Sequence, residues 1–205
     1  MASVVPSESL LIRPDILRRF DFPSLFGNDR PVELELGSGD GSFLLQYAGR
    51  RPEVNFLAVE RLLGRLRKIE RKAPRLGLRN IRGLRLEATY LLEWMIPPGS
   101  LSAIHVYFPD PWPKKRHLRR RLVNDVFAVL AARALAPGGS LFCRTDDADY
   151  FEQMTTVLDA AAGFVRGVEP ADLLEVKTDF ETEFNAEGKP TRHAVWVRSE
   201  GSATR

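Results

Sequence analysis

Apolar residues along the 205-residue chain switch between continuous runs and helical spacing. "PVELELG" (31–37) predicts a short strand ending in a glycine turn, and "SFLLQYAGR" (42–50) a helix that stops before Pro52. "NFLAVE" (55–60) reads as a buried strand, after which Leu62, Leu66, Ile69, Ala73 and Leu76 recur at helical spacing. "IRGLRLEA" (81–88) and "SAIHVYF" (102–108) predict two further strands. Leu122, Val126, Val129/Leu130 and Ala134 mark a helix closed by "APGG" (136–139), and "SLFCRT" (140–145) is a fifth strand. "YFEQMTTVLDAAAG" (150–163) predicts a helix capped by Gly163, with two late strands near "LLEVKT" (173–178) and "HAVWVR" (193–198). Such alternation implies an α/β, doubly wound, mostly parallel seven-stranded sheet, with ligands beyond the carboxyl ends of its strands. The chain shows no internal repeat and no low-complexity linker. The expected organisation is a short N-terminal extension (1–30), one domain (31–200) and a tail (201–205).

Composition narrows the class. Apolar residues make up 44% and charged residues 28%, ordinary for a globular chain large enough to bury a core. No apolar run approaches the roughly 18 residues of a membrane span. The N-terminal "MASVVPSESLLIRPD" lacks a basic region followed by an apolar core, so no signal peptide is expected. Lone Cys143 cannot form an internal disulfide, which points to a small buried strand residue and a reducing cytoplasm. One Cys and three scattered His give no metal-ligand spacing, and no metal is expected.

Net charge is only +3, but it is unevenly spread. Arg61 to Arg85 holds ten Lys/Arg against a single acid, Glu70, and Lys114 to Arg121 adds six more. Either segment alone could be a solvated face. Together they hold sixteen of the thirty basic residues and favour a polyanionic partner, because Lys/Arg contacts to phosphate supply most sequence-independent nucleic-acid affinity.

The candidate chemistry begins at "ELELGSGDGSF", a glycine turn between a strand and a helix. Glycines at 37, 39 and 41 let the backbone pass close to a ligand. A dinucleotide fingerprint would place the third glycine one residue later than Gly41. Glu35 and Asp40 put two acids at the turn, which disfavours a pyrophosphate and suits a ligand with a cationic end. Glu60 ends the second strand about twenty residues on, where a carboxylate can accept both hydroxyls of a ribose. A ribose, no phosphate and a sulfonium cation describe S-adenosyl-L-methionine, whose adenine would lie near Glu87.

"FPDPWPKKRHLRRR" (108–121) is the second candidate. Asp110 follows the fourth strand between two prolines, so it either caps a turn or faces the rim where ligands bind. Trp112 either stacks on a base or packs the loop. His105 reads as core, and His117 as a phosphate neighbour.

"ELGSGDGSF", "NFLAVE", "FPDPWPKKRHLRRRL", "RTD" and "TDFETEFNAEG" occur in the order found in bacterial tRNA (guanine-N7-)-methyltransferases, and the chain resembles that family from about Phe26 to Trp196. The resemblance implies a Rossmann-like class I S-adenosylmethionine-dependent methyltransferase. It implies methylation of N7 of a guanine at position 46, in the variable loop of tRNA, by a monomer or homodimer. Carried over by position, Glu35, Gly37, Gly39, Gly41, Glu60, Glu87 and Asp110 are implied as cofactor-binding. Asp110 is also the implied catalytic residue, and Lys114, Asp146, Thr178, Asp179, Phe180 and Glu181 are implied as substrate contacts. Leu118 interrupts a basic run that is often unbroken in the family, and Glu87 stands where Asp or Asn is usual.

The chemistry is coherent, because guanine N7 carries a free lone pair and no proton, so alignment and charge stabilisation can carry the reaction. One rival is an amino-methyltransferase acting on another base, since Asp-Pro after the fourth strand can also accept an amino proton. Another is a cofactor-free RNA-binding module on a decayed methyltransferase fold, against which the intact Glu35, glycine trio and Glu60 argue.

Overall fold

In the computed structural model of the chain, residues 9–200 are described; residues 1–8 of the expected N-terminal extension and the whole expected tail, 201–205, lie outside them. The chain divides into two units, Met1–Pro97 and Pro98–Arg205. In the first, β1 (Val32–Leu36), β2 (Asn55–Val59) and β3 (Ile81–Leu84) pair in parallel in the order β3-β2-β1. Every residue of these strands is buried: β2 presents the apolar run "FLAV" (56–59), while β1 alternates apolar residues with the buried carboxylates Glu33 and Glu35, and β3 carries buried Arg82.

Helices α1 (Phe22–Phe26), α2 (Ser42–Arg50), α3 (Leu63–Arg75) and the short α4 (Ala88–Tyr90) complete this unit, with a π-helical turn at Leu91–Met95. Helix α3 buries Leu66, Ile69 and Ala73 as its apolar stripe requires. Leu62 and Leu76 are exposed, because they are the two cap residues and lie outside the helical turns that carry the stripe. The third strand is shorter than expected. Glu87 leaves the strand to cap α4, accepting from the backbone N–H groups of Thr89 and Tyr90.

In the second unit β4 (Leu101–Tyr107) pairs in parallel with β5 (Leu135–Thr145), which pairs antiparallel with β7 (Arg192–Arg198); β7 in turn holds β6 (Phe164–Arg166). Helices α5 (Asp125–Ala134), α6 (Ala148–Ala160), α7 (Ala171–Leu174) and α8 (Asp179–Ala186) belong to it. Over the whole chain the strand order is β3-β2-β1-β4-β5-β7-β6, the seven strands of the expected α/β architecture.

Three expectations are corrected here. "APGG" does not merely close a helix: pairing steps from Leu101–Leu135 to Ala103–Ser140, so residues 136–139 bulge within β5. A Cβ on Gly139 would lie 2.8 Å from the Ala136 carbonyl oxygen, so only glycine fits that bulge. Helix α5 starts at Asn124, whose side chain accepts from the Phe127 N–H, and its core face is Phe127, Leu130, Ala131 and Ala134. Val126 and Val129 therefore point outward. Finally, residues 173–178 form no strand. The carbonyls of Leu173 and Val176 accept from the Arg144 guanidinium at 2.8 and 2.7 Å, and the late strand lies instead at Phe164–Arg166.

Candidate cofactor cradle and substrate loop

The turn after β1 is the candidate cofactor cradle. Gly37, Gly39 and Gly41 have φ of 80°, 55° and 84°, a region that only glycine enters at no steric cost. Their roles differ. A Cβ at 37 or 39 would meet open space, so those two leave room at the turn, whereas a Cβ at 41 would lie 2.8 Å from Ile69 Cγ1. Gly41 is thus a packing glycine that lets α2 approach α3.

Glu35 ends β1 with its carboxylate buried, and among the described residues nothing hydrogen-bonds its Oε2. Ser38 Oγ is likewise buried without a partner. Burial, with the nearby Glu60 charge adding to it, pushes the Glu35 carboxyl up to about 8. Glu60 is more settled. Its Oε2 accepts from Gly39 N–H at 3.1 Å and its Oε1 from Leu62 N–H at 2.9 Å, with the Arg65 guanidinium 3.8 Å away. Both oxygens of Glu60 keep further lone pairs for ribose hydroxyls.

Asp40 departs from expectation. Its carboxylate faces Lys72 at 3.5 Å and Lys68 at 3.8 Å on α3, so it is not a bare acid of the cradle. Glu87 caps α4 with both oxygens, which turns its carboxylate toward backbone N–H groups.

The cradle fits S-adenosylmethionine on this donor set. A buried carboxylate with one oxygen unpartnered among the described residues calls for a cation, a second carboxylate can accept hydroxyls, and two open glycines leave space for the ligand. A cationic ligand stabilises ionised Glu35, so its affinity is expected to rise about tenfold per pH unit from pH ~6 and flatten near pH 8. Binding below pH 8 should release close to one proton. Calorimetry in buffers of different ionisation enthalpy checks both, and E35Q should bind more weakly and without the slope. An affinity flat from pH 6 to 8 in the wild type would remove Glu35 from contact with the cation.

In the second unit, β4 delivers the candidate substrate loop. Phe108 and Trp112 adopt φ of 47° and 44°, sparsely populated for residues with side chains, and Asp110 lies exposed between them. Trp112 packs the loop: the Arg120 guanidinium sits 5.0 Å over its ring and His117 meets its edge at 5.7 Å. Lys114 is exposed and leads into a 3₁₀ segment, Lys115–Arg120. Arg121, the last residue of the basic run, points inward. His105 is core, stacked on Phe142.

Two of the four residues in "TDFE" are structural. Thr178 is the N-cap of α8, its hydroxyl accepting from Glu181 N–H at 2.9 Å. Glu181 is buried and meets Arg144 at 3.1 Å and His193 at 3.6 Å. Asp179 and Phe180 stand exposed on the first turn of α8, and the Phe180 ring stacks on Phe184, 6.0 Å away. Asp146 is half-buried at the end of β5, its carbonyl accepting from Arg192. Arg144, Glu169 and His193 were not singled out as functional from sequence. The Arg144 guanidinium reaches Glu169 at 2.7 Å, and His193 Nδ1 lies 3.1 Å from the same carboxylate. Burial opposes ionisation of Glu169, but His193 and Arg144 together hold its carboxyl below the usual range.

Strand order, glycine turn and acid placement define a Rossmann-like class I methyltransferase. The solved structures similar to this chain agree. A 16S rRNA methyltransferase, KamB, superposes with a TM-score of 0.63 at 19% identity, covering 88% of this chain and 94% of that one. TrmN from Thermus thermophilus gives 0.60 at 23%, covering 86% of this chain and 48% of that one. A family model described as "Putative methyltransferase" matches residues 29–197. Proteins named tRNA (guanine-N(7)-)-methyltransferase match in sequence: one from Syntrophotalea carbinolica is 43% identical over 70% of this chain, and one from Bordetella pertussis 39% over 87%. One from Streptomyces coelicolor is 41% identical over 87% of this chain. The matched regions span 62%, 70% and 66% of those proteins' own lengths. The chain belongs to the tRNA (guanine-N7-)-methyltransferase family.

Proposed function

We propose that the protein transfers a methyl group from S-adenosyl-L-methionine to N7 of a guanine in tRNA, at position 46 of the variable loop. The family model's span, residues 29–197, supports reading 31–200 as one methyltransferase domain. On this reading the protein works in the cytoplasm as a monomer or homodimer; among the described residues no helix is long and apolar enough to cross a membrane.

The observation that carries the reading is the strained loop that holds exposed Asp110 ahead of an outward-facing basic segment. When bound, the cofactor supplies an electrophilic methyl group on a sulfonium. The chain's own residues bind, orient and neutralise. Glu60 accepts the ribose hydroxyls and Glu35 faces the cationic end. Asp110 accepts from the guanine N1–H and 2-amino donors and steadies the positive charge that grows on the purine as the methyl arrives. Lys114 and the residues after it hold the flanking phosphates, while Asp146, Asp179 and Phe180 are left as the outward candidates for guanosine.

Methylation of unmodified tRNA with labelled cofactor, followed by mapping of the modified nucleotide, tests the proposal. N7-methylguanosine at position 46 is expected. Label on an exocyclic amino group would convert the reading into the amino-methyltransferase alternative.

Exposed cations of the 3₁₀ segment have their own signature. Neutralising Lys115, Arg116 and Arg119 together should lower tRNA affinity and flatten its log–log salt dependence by roughly 0.7–0.9 for each phosphate these side chains neutralise in the wild type. A wild-type slope in filter binding between 50 and about 200 mM salt would make the segment a solvated face only.

A further inference from the structure

Arg121 closes a run of cations yet behaves unlike its neighbours. It is 3% exposed, while Arg116, Arg119 and Arg120 are exposed. Its Nε donates to the Pro111 carbonyl at 2.7 Å, its Nη1 to Gln153 Oε1 at 2.8 Å and its Nη2 to Asp149 Oδ2 at 2.5 Å. The guanidinium lies 4.7 Å over the Tyr150 ring. Asp149, Tyr150 and Gln153 all sit on α6, and the same face holds the backbone just beyond: Tyr150 Oη accepts from Val123 N–H and Gln153 Nε2 donates to the Val123 carbonyl.

We propose that Arg121 is a positioning residue for Asp110, tying the substrate loop to α6 instead of gripping RNA. The inference rests on the reading of Asp110 given above. Pro111 follows Asp110 directly and has no N–H, so its carbonyl is the only backbone polar group by which that residue can be held. Two non-glycine residues at positive φ flank this point, and such strain persists only where surrounding contacts over-determine it. Phe108 N–H donates to the Arg144 carbonyl at one end of the loop. Arg120 over Trp112 and Arg121 on Pro111 secure the other. Lysine cannot replace this fork, because a single ammonium on a flexible stem does not present three directed donors to a carbonyl, an amide and a carboxylate together while stacking on a ring.

R121K and R121M are to be compared with wild type in single-turnover methylation at saturating tRNA and cofactor. The same proteins are measured for tRNA affinity with its salt slope, and for amide exchange at Asp110 and Trp112. A D149A/Q153L double variant keeps Arg121 but removes its two side-chain acceptors on α6. It serves as the test where Arg121 variants do not fold. Both Arg121 variants should lose about 10- to 100-fold in the single-turnover rate, the scale of a misplaced reacting group, with an unchanged salt slope and faster exchange at both amides. Lysine should fail to rescue, and the double variant should fall between wild type and R121M. A flattened salt slope with weakened affinity would make Arg121 a phosphate contact and overturn the proposal, as would wild-type rate and exchange. Should wild type not methylate tRNA, the reading of Asp110 fails, while the exchange data still decide whether Arg121 holds the loop.

Discussion

Replacing Arg144 with methionine is expected to destabilise the protein by about 3–5 kcal/mol, because it strips the guanidinium from two buried carboxylates. Arg144 is fully buried. It donates to Glu169, to Glu181 and to the carbonyls of Leu173 and Val176, and stacks 4.6 Å from the Tyr107 ring centre. One side chain therefore ties β5 to the segment 169–181, including the "TDFE" turn that starts α8. Without it Glu169 and Glu181 remain as buried like charges with His193 alone beside them, and Leu173 and Val176 lose the donor their carbonyls use. The pH dependence follows. The carboxyl of Glu169 lies below its ordinary value in the folded protein, so its contribution is present above the ordinary carboxylate range and is lost as pH falls. The gap between wild type and R144M should be widest near neutrality and narrow on acidification. Urea unfolding at pH 7 and near pH 4 measures it. A loss below ~1 kcal/mol at neutral pH would show that the network contributes nothing net. A triple variant R144M/E169Q/E181Q should recover part of the loss, since it removes the stranded charges along with their partner.

This network also marks where sequence reading stopped. Strand β2 is legible because burial on both faces leaves a continuous apolar run, β1 because Val32, Leu34 and Leu36 alternate at strand period, and the glycine turn because positive φ demands glycine. Residues 173–178 misled because Leu173 and Val176 are buried like strand residues, while the donor that bends their backbone lies far back in the chain at Arg144. Thr178 and Glu181 belong to a motif, but a motif does not say which members face outward; a helix cap and a buried ion pair account for these two. Arg121 stood in a row of cations, and composition cannot distinguish an arginine that faces α6 from one that faces solvent. Asp40 read as a cradle acid because the lysines that meet it, Lys68 and Lys72, were counted only as part of a basic face. The misses at Arg121, Glu181 and Asp40 concern the direction of a charged side chain, which partners distant in sequence decide.

Asp110→Asn is expected to leave folding and most tRNA binding intact while lowering the methylation rate by about 2–4 kcal/mol, roughly 30- to 1,000-fold. Folding should survive because Asp110 is exposed and the loop is held by its neighbours, Pro111 through Arg121 and Trp112 through Arg120. Binding should survive because the flanking cations remain, and they supply the sequence-independent part of the affinity. The rate should fall because asparagine keeps the shape and one acceptor oxygen but loses the charge that opposes the one growing on the purine. Two roles of the carboxylate then separate. If it only accepts the donors of guanine, the amide still accepts one, and the deficit appears in tRNA affinity with a normal single-turnover rate. If it stabilises charge, the deficit appears at saturating tRNA and cofactor and is nearly independent of tRNA concentration. N7 has no proton to lose, so the wild-type single-turnover rate at saturating cofactor should show no required base titrating between pH 6 and 8. Glu35, whose carboxyl lies near 8, is expected to move cofactor affinity over that range and not the saturated rate. A wild-type single-turnover rate in D110N would remove the proposed charge stabilisation, and a wild-type tRNA affinity beside it would reduce Asp110 to a turn residue.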